Sequence, residues 1–427
     1  MSVKGKKLLV LGGTTASLDI VKLAKKMGVY TVVADIAEKG PAIDLADGYT
    51  KLSTTDHEGL VNYIKQNNVD GVFCGPSEFN IQNMIHICAK AGLPCYTTID
   101  IWDKCAQKDV FKAYCMEYGI DVPQKFEIAE NTPEELLESL DYPVIVKPVD
   151  GCSSKGISVC MKKEEVLEAY KYALSYSTCK RVICEKYIDN GGEIFSVRYL
   201  IKDGEAYPYL LMDTYVVDPV TRKSLISGVS FAPSKYYDYY MENVDQKTRK
   251  MLKGMGIKNG TAFIQSLPYK GKIYFHEMGY RLSGGMMFKV TEPLVHVNDM
   301  NCMIRYALGD EIISDQELSK LDLKCSGKIG AQLTCPLDEG EISEIIGFEE
   351  VLKHPSIVDC MQYYHIGGIV KKEFIGTLSQ HFCRFTLIVD SKEELTNFIK
   401  YVEKTLRVID TKGNKMNNFI FDLNRLN

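Results

Sequence analysis

A lysine at the end of a buried run, followed by a loop of small residues, is one way for a chain to hold a polyphosphate. In YPVIVKPVDGCSSKGI, residues 142–157, the apolar Val144, Ile145 and Val146 deliver Lys147, and Gly151 and Gly156 bracket Cys152, Ser153, Ser154 and Lys155. Backbone amides approach phosphate oxygens closely only where side chains are small, and a fixed ammonium offsets the anion's charge. Alone, such a stretch is equally an ordinary hairpin with an exposed lysine. Three further elements accompany it in order: Lys108 on a helix, a strand running into Glu185 and Glu193, and a strand pair carrying Gln265 and Glu277 that closes at Arg281. A triphosphate carries about four negative charges, and neighbouring oxygens repel by several kcal/mol at a protein-like dielectric. Lysines and a divalent ion must therefore surround it. Magnesium takes oxygen ligands, so one carboxylate and one amide oxygen suffice when phosphates complete its shell. The succession of all four elements, rather than any one, points to bound Mg·ATP.

The elements that must position these groups follow from the hydrophobic pattern. Residues 1–103 alternate strand and helix: apolar runs at 8–11, 30–34 and 71–74, helices after the first and third, and a short strand at 93–96. Continuous apolar strands joined by helices imply a parallel sheet. The Gly12-Gly13 turn with Asp35 downstream resembles a dinucleotide fingerprint, but GGTTAS lacks the second and third glycines, which argues against a nicotinamide cofactor. Glu78 follows a strand end, so it is either a substrate contact or a simple helix-start carboxylate. A single helix is expected over 101–119, carrying Lys104 and Lys108. Residues 195–232 alternate in the antiparallel manner, and 261–267 with 272–278 form a hairpin around YKGK. Simple alternation places His276 on the strand face opposite Glu277. The tail, 325–427, reads as a separate small α+β unit.

Composition narrows the function classes. The chain has 427 residues, enough for two to four domains, with 45% apolar residues, 25% charged residues and a net charge of −5. That balance argues against nucleic acid or an anionic membrane surface as the main partner. The N-terminal apolar run is too short for a signal peptide and no stretch approaches a membrane span. Its 14 cysteines are scattered, many in apolar runs and none in a CxxC pair. Free thiols in a reducing cytoplasm are the simplest account.

The four elements together resemble the ATP-grasp superfamily of carboxylate–amine and carboxylate–thiol ligases. The resemblance covers nearly the whole chain, and the fold it implies is mixed α/β and α+β. Residues 1–103 look like a Rossmann-like leading domain, 104–190 like the first part of the ATP-grasp unit with its small lobe, 191–324 like the large lobe, and 325–427 like the small C-terminal domain. By that resemblance Lys108 and Lys147 contact the phosphates, while Ser153, Ser154, Lys155 and Gly156 close over them. Glu185, Lys186 and Ile188 present their edge to adenine and Glu193 binds the ribose. Gln265 and Glu277 fall at the metal positions, Arg281 stabilises an acyl phosphate, and Gly284 and Gly285 approach the substrate carboxylate.

Two departures are visible. Gln265 stands where glutamate is more usual, and Gly279 where asparagine is. The implied activity is an ATP-dependent ligase that activates a small carboxylic acid and joins it to an amine, with a homodimer as the implied assembly. L-amino-acid ligases and purine-pathway ligases or transformylases look most similar. Biotin carboxylase fits less well, because its tail arginine falls on Leu333 and no biotinyl-carrier segment is expected. The alternative is a non-catalytic nucleotide-binding protein of the same fold.

Overall fold

The computed structural model describes residues 3–150, 155–217, 226–285, 287–419 and 421–426. At the N-terminus the apolar runs form a four-stranded parallel sheet in the order Gly48–Thr50, Tyr30–Ala34, Lys7–Leu11, Gly71–Phe73. Leu8 to Leu11 are fully buried, as strands covered by helices on both faces must be. The Gly13 amide donates to Asp35 Oδ2 at 2.7 Å, so that carboxylate holds its own turn rather than standing free for a ribose. The strand expected at 93–96 does not form. Leu93 N–H is taken by Cys88 O, Pro94 has no amide hydrogen, and Tyr96 O accepts from the Tyr280 hydroxyl.

The expected helix over 101–119 is two helices, Ile99–Ala106 and Lys108–Glu117, because Gln107 leaves helical geometry at φ −84°, ψ 113°. This break puts Lys108 at a helix start. It is held there by Arg181, which donates to Gln107 Oε1 at 2.5 Å and to Asp109 Oδ2 at 2.6 Å. A second four-stranded sheet follows, in the order Lys125–Phe126, Val182–Lys186, Val144–Pro148, Ser158–Cys160. Val144, Val146, Cys160 and Cys184 point into a small core against Val166, Ala169 and Ala173 of the helix Val166–Tyr176. The opposite face is left to Ile145 and Lys147.

The largest sheet has eight strands in the order Lys272–Gly279, Gly260–Tyr269, Glu193–Lys202, Glu205–Val216, Ser227–Ala232, Ile329–Pro336, His381–Val389, Ile357–Gln362. The tail is divided between sheets: Ile369–Val370, Gly340–Ile346 and Arg407–Asp410 form a three-stranded sheet of their own. Three other strands of the tail extend the large one, with Val229 paired to Leu333 and Phe231 to Ala331. The tail centres on a core in which Phe348, Phe382 and Phe385 pack against Phe398 of the helix Lys392–Thr405. Sequence alternation marks a strand but not the neighbour it pairs with, so this continuity has no signal in the sequence. No helix among the described residues is long and apolar enough to cross a membrane. The cysteines among them are free thiols, most of them buried.

A chain ending after residue 324 would strip the partner from Ser227–Ala232 and bare Val229 and Phe231, which are at most 1% exposed. Such an apolar edge templates association. Size-exclusion chromatography should show the shortened chain aggregated, and a monomer with the thermal midpoint of the full chain would contradict the shared sheet.

Candidate active site

Antiparallel pairing sets Ile145 opposite Glu185 and Lys147 opposite Ile183, so Lys147 and Glu185 are diagonal neighbours on the face away from the small core. Lys147 Nζ lies 3.0 Å from Glu185 Oε2. The other oxygen, Oε1, takes the ammonium of Lys112, which reaches in from the helix Lys108–Glu117. All three are buried: Lys112 is 4% exposed, Lys147 5% and Glu185 1%. Burial alone would raise the Glu185 pKa, but Lys147 and Lys112 overcome it and hold the carboxyl at about 2. Burial, together with the charge of Lys147, pushes Lys112 down to about 7. One turn before Lys112, Lys108 Nζ lies 3.8 Å from Glu277 Oε2, which links this pair to the large sheet.

On the large sheet Gln265 and Glu277 are direct cross-strand partners, with Ser196 opposite Gln265 on the other side. Burial opposes ionisation of Glu277, yet Lys108, with Lys147 and Arg281, holds its carboxyl below the ordinary value. Between Gln265 and Ser266 the partner strand advances by two residues, a bulge centred on His276. Ile273, Phe275 and Met278 all face the core, so His276 and Glu277 must both face the cleft. The expectation of His276 on the far face is corrected by this bulge. Burial lowers its pKa to about 4, and the charges that act on it are Glu277, Lys147, Lys112 and Glu185.

At the far end of the hairpin, Arg281 donates through Nε (3.1 Å) and Nη2 (2.7 Å) to Glu78 Oε1. Glu78 is also the first residue of the helix Glu78–Ala91, behind the Ser77 cap, so the helix-start reading of that carboxylate holds. The Arg281 guanidinium lies 5.1 Å from the centre of the Phe263 ring. Phe263 is the cross-strand partner of Gly279, and a Cβ at Gly279 would stand 2.3 Å from that ring. The missing side chain at 279 is thus replaced by an aromatic ring that supports Arg281. Beyond it, Gly284 faces open space, and Gly285 O accepts from Gln332 Nε2 at 2.6 Å.

Other expected residues are engaged elsewhere. Glu193 is paired with Lys235 Nζ at 2.8 Å and accepts from the Tyr215 hydroxyl at 3.3 Å. The Lys186 ammonium is turned to Asp141 and to the Tyr142 carbonyl, away from Lys147. Ile188 is buried, Lys155 is exposed, and Gly156 has φ +72° with its missing Cβ against Pro148 and Tyr176. Ser153 and Ser154 lie outside the described residues. Just before them Asp150 accepts from Ser177 Oγ at 2.7 Å and from the Cys179 amide at 2.9 Å, and these bonds with Thr178 hold its pKa low against burial.

Sequence reasoning misses Lys112, although its spacing four residues after Lys108 puts both ammoniums on one helix face. It also misses Arg198, a charge inside the alternating run FSVRYLI, and Arg384, whose Nη1 donates to Gly284 O at 3.3 Å. Nothing in the sequence signals Arg384, because its approach depends on the shared sheet.

With the geometry in place, comparison with known proteins adds the following. Residues 107–314 match the family model described as carbamoyl-phosphate synthase L chain, ATP binding domain. A formate-dependent phosphoribosylglycinamide formyltransferase of Sulfurisphaera tokodaii is 24% identical over 372 residues, covering 82% of this chain and 86% of that protein. The L-amino acid ligase of Bacillus licheniformis superposes with a TM-score of 0.77 at 18% identity, covering 96% of this chain and 99% of that one. The biotin carboxylase domain of Hydrogenobacter thermophilus 2-oxoglutarate carboxylase, solved with MgADP, ADP and bicarbonate, gives 0.73 at 16% identity over 96% and 91% of the two chains.

The buried triad makes the cleft sensitive to pH. In the unfolded chain Lys112 holds its proton to about pH 10.4, whereas folded it releases it near 7. The unfolded state therefore binds more protons between those values, and stability from Lys112 rises with pH across that window. For Glu185 the folded pKa of about 2 is depressed, so its contribution is present above about pH 4.3 and lost as pH falls toward 2. Urea unfolding in a pH series should show the rise from 7 to 10 in the native chain and its loss in Lys112→Met. Retention of that slope in the variant would contradict the assignment. Glu185→Gln, which strands two buried ammoniums, should cost about 3–5 kcal/mol at pH 7.

Proposed function

We propose that this chain, whose fold is that of the ATP-grasp superfamily, is an ATP-dependent ligase that joins a small carboxylic acid to an amine. The observation that carries this reading is the convergence of Lys108, Lys112 and Lys147, from two separate segments, on Glu185 and Glu277 in one cleft between two sheets. Such a set surrounds a polyphosphate as the charge argument requires. Gln265 and Glu277 offer two oxygen donors from adjacent strands, a donor set that fits a hard divalent ion such as magnesium. When bound there, that ion supplies charge neutralisation at the phosphate oxygens.

The chain's own residues do the rest. Lys147 and Lys108 neutralise the triphosphate. Arg281, pre-set by Glu78 and the Phe263 ring, holds the carboxylate of the substrate acid in line with the γ-phosphorus. A carboxylate oxygen bonds to that phosphorus as the bridge to ADP breaks, giving an acyl phosphate beside Arg281. The amine then bonds to the acyl carbon, inorganic phosphate leaves with its bonding pair, and the amine's surplus proton passes to solvent. No protein nucleophile is required, and the work is positioning and electrostatic stabilisation.

The second reading is a purine-pathway enzyme that uses formate as the acid, favoured by the near-full-length match to the Sulfurisphaera formyltransferase. A homodimer, the assembly of the Hydrogenobacter carboxylase domain, is carried over with the same proposal. ADP release should require both an acid and an amine, and formate with phosphoribosylglycinamide as the only productive pair would select the second reading. Binding of ATP without turnover across a broad panel would instead identify a non-catalytic protein. Lys147→Ala should lower turnover at least about 100-fold by leaving phosphate charge uncompensated. Glu277→Gln should keep the native circular dichroism and lose magnesium-dependent ADP release, and unchanged turnover in either variant would contradict the site.

A further inference from the structure

Arg198 lies on the strand Glu193–Lys202, between Phe263 of one neighbour and Leu210 of the other. It shares the cleft-side row with Phe263 and Gly279, two residues along the strand from Ser196, which faces Gln265. Its side chain is buried, at 7% exposure. Only Nη2 is used among the described residues, donating to Ser283 Oγ at 2.8 Å, while Nε and Nη1 have no hydrogen-bond partner among them. The acidic group whose field reaches it is Asp299, whose own bonds come from the Tyr209 hydroxyl at 2.7 Å and the Met300 amide at 3.0 Å. Asp299 forms no ion pair with it among the described residues.

A buried guanidinium with two unused donors is a poor structural element and a good receptor, because a planar fork matches a carboxylate bidentately. Its position supports that role. Ser283, which Arg198 holds, also accepts from the Gly285 amide at 3.3 Å, and between them Gly284 opens on empty space. Arg281, already assigned to the reacting carboxylate, lies over the ring of Phe263, the cross-strand partner of Arg198. Two arginines thus neighbour Phe263 at the acid-binding end of the cleft, and among the described residues Glu78 pairs with Arg281 and not with Arg198.

We propose that Arg198 is a specificity-determining residue that receives a second carboxylate, so that the acid activated here is a dicarboxylate rather than a monocarboxylate. This rests on the ligase reading, and the experiment separates the two. Calorimetry would first measure MgADP binding to the full chain, then, with MgADP saturating, the binding of succinate, glutarate and L-glutamate against butyrate, pentanoate and L-norvaline. At least one diacid should bind 10-fold or more tightly than its single-charge analogue. Arg198→Met should reduce that preference to 3-fold or less with MgADP affinity unchanged, and Arg198→Lys should restore part of it. MgADP bound with no diacid preference in the native chain, or a preference that survives Arg198→Met, would overturn the proposal and leave the ligase reading standing. Failure to bind MgADP would overturn both. Should Arg198→Met not fold, the native comparison and Arg198→Lys decide alone.

Discussion

One carboxylate, Glu185, is shared by two ammoniums that come from different segments of the chain, and the rest of the cleft is arranged around that contact. Lys147 arrives on a strand of the small sheet and Lys112 on a helix that precedes that strand in the chain. Neither could be buried alone, since an isolated ammonium shifts its pKa or draws in water. Sharing Glu185 keeps both inside and fixes the small sheet against the helix. Beside them Lys108 pairs with Glu277, so three ammoniums and two carboxylates gather in one cleft. Burial, together with the charge of Lys147, holds the Lys112 pKa down at about 7.

The large sheet answers with two local departures from regular pairing. The bulge at His276 re-aims Glu277 so that it meets Gln265 and Lys108 together. Without the extra residue, the faces assigned by Ile273 and Phe275 would turn Glu277 into the core. Two residues later Gly279 leaves room for Phe263, whose ring supports Arg281 from below. Irregularities of this kind cluster beside functional sites because they set the direction of a side chain at small cost in pairing.

Much of this architecture is legible in the order of the amino acids. Apolar runs locate the parallel strands, and the YKGK turn locates the hairpin that carries Gln265 and Glu277. What escapes is whatever depends on contacts between distant segments. The partner of Glu185 on the helix, the pairing of Ile329–Pro336 with Ser227–Ala232, and the approach of Arg384 to Gly284 are tertiary facts with no local signature. The helix break at Gln107 escapes for the same reason, since Arg181 holds it from another element. Alternation misplaces His276 because a bulge defeats the period-two rule, and no residue in KIYFHEMG announces one.

The central claim is that separate segments close on one polyphosphate. Hydrogen–deuterium exchange with and without MgADP measures it directly. Protection is expected to rise together in the helix Lys108–Glu117 and the strands Val144–Pro148, Val182–Lys186 and Lys272–Gly279, which bear the converging groups. Protection confined to one of these segments, or a MgADP effect only in the N-terminal sheet, would contradict the account.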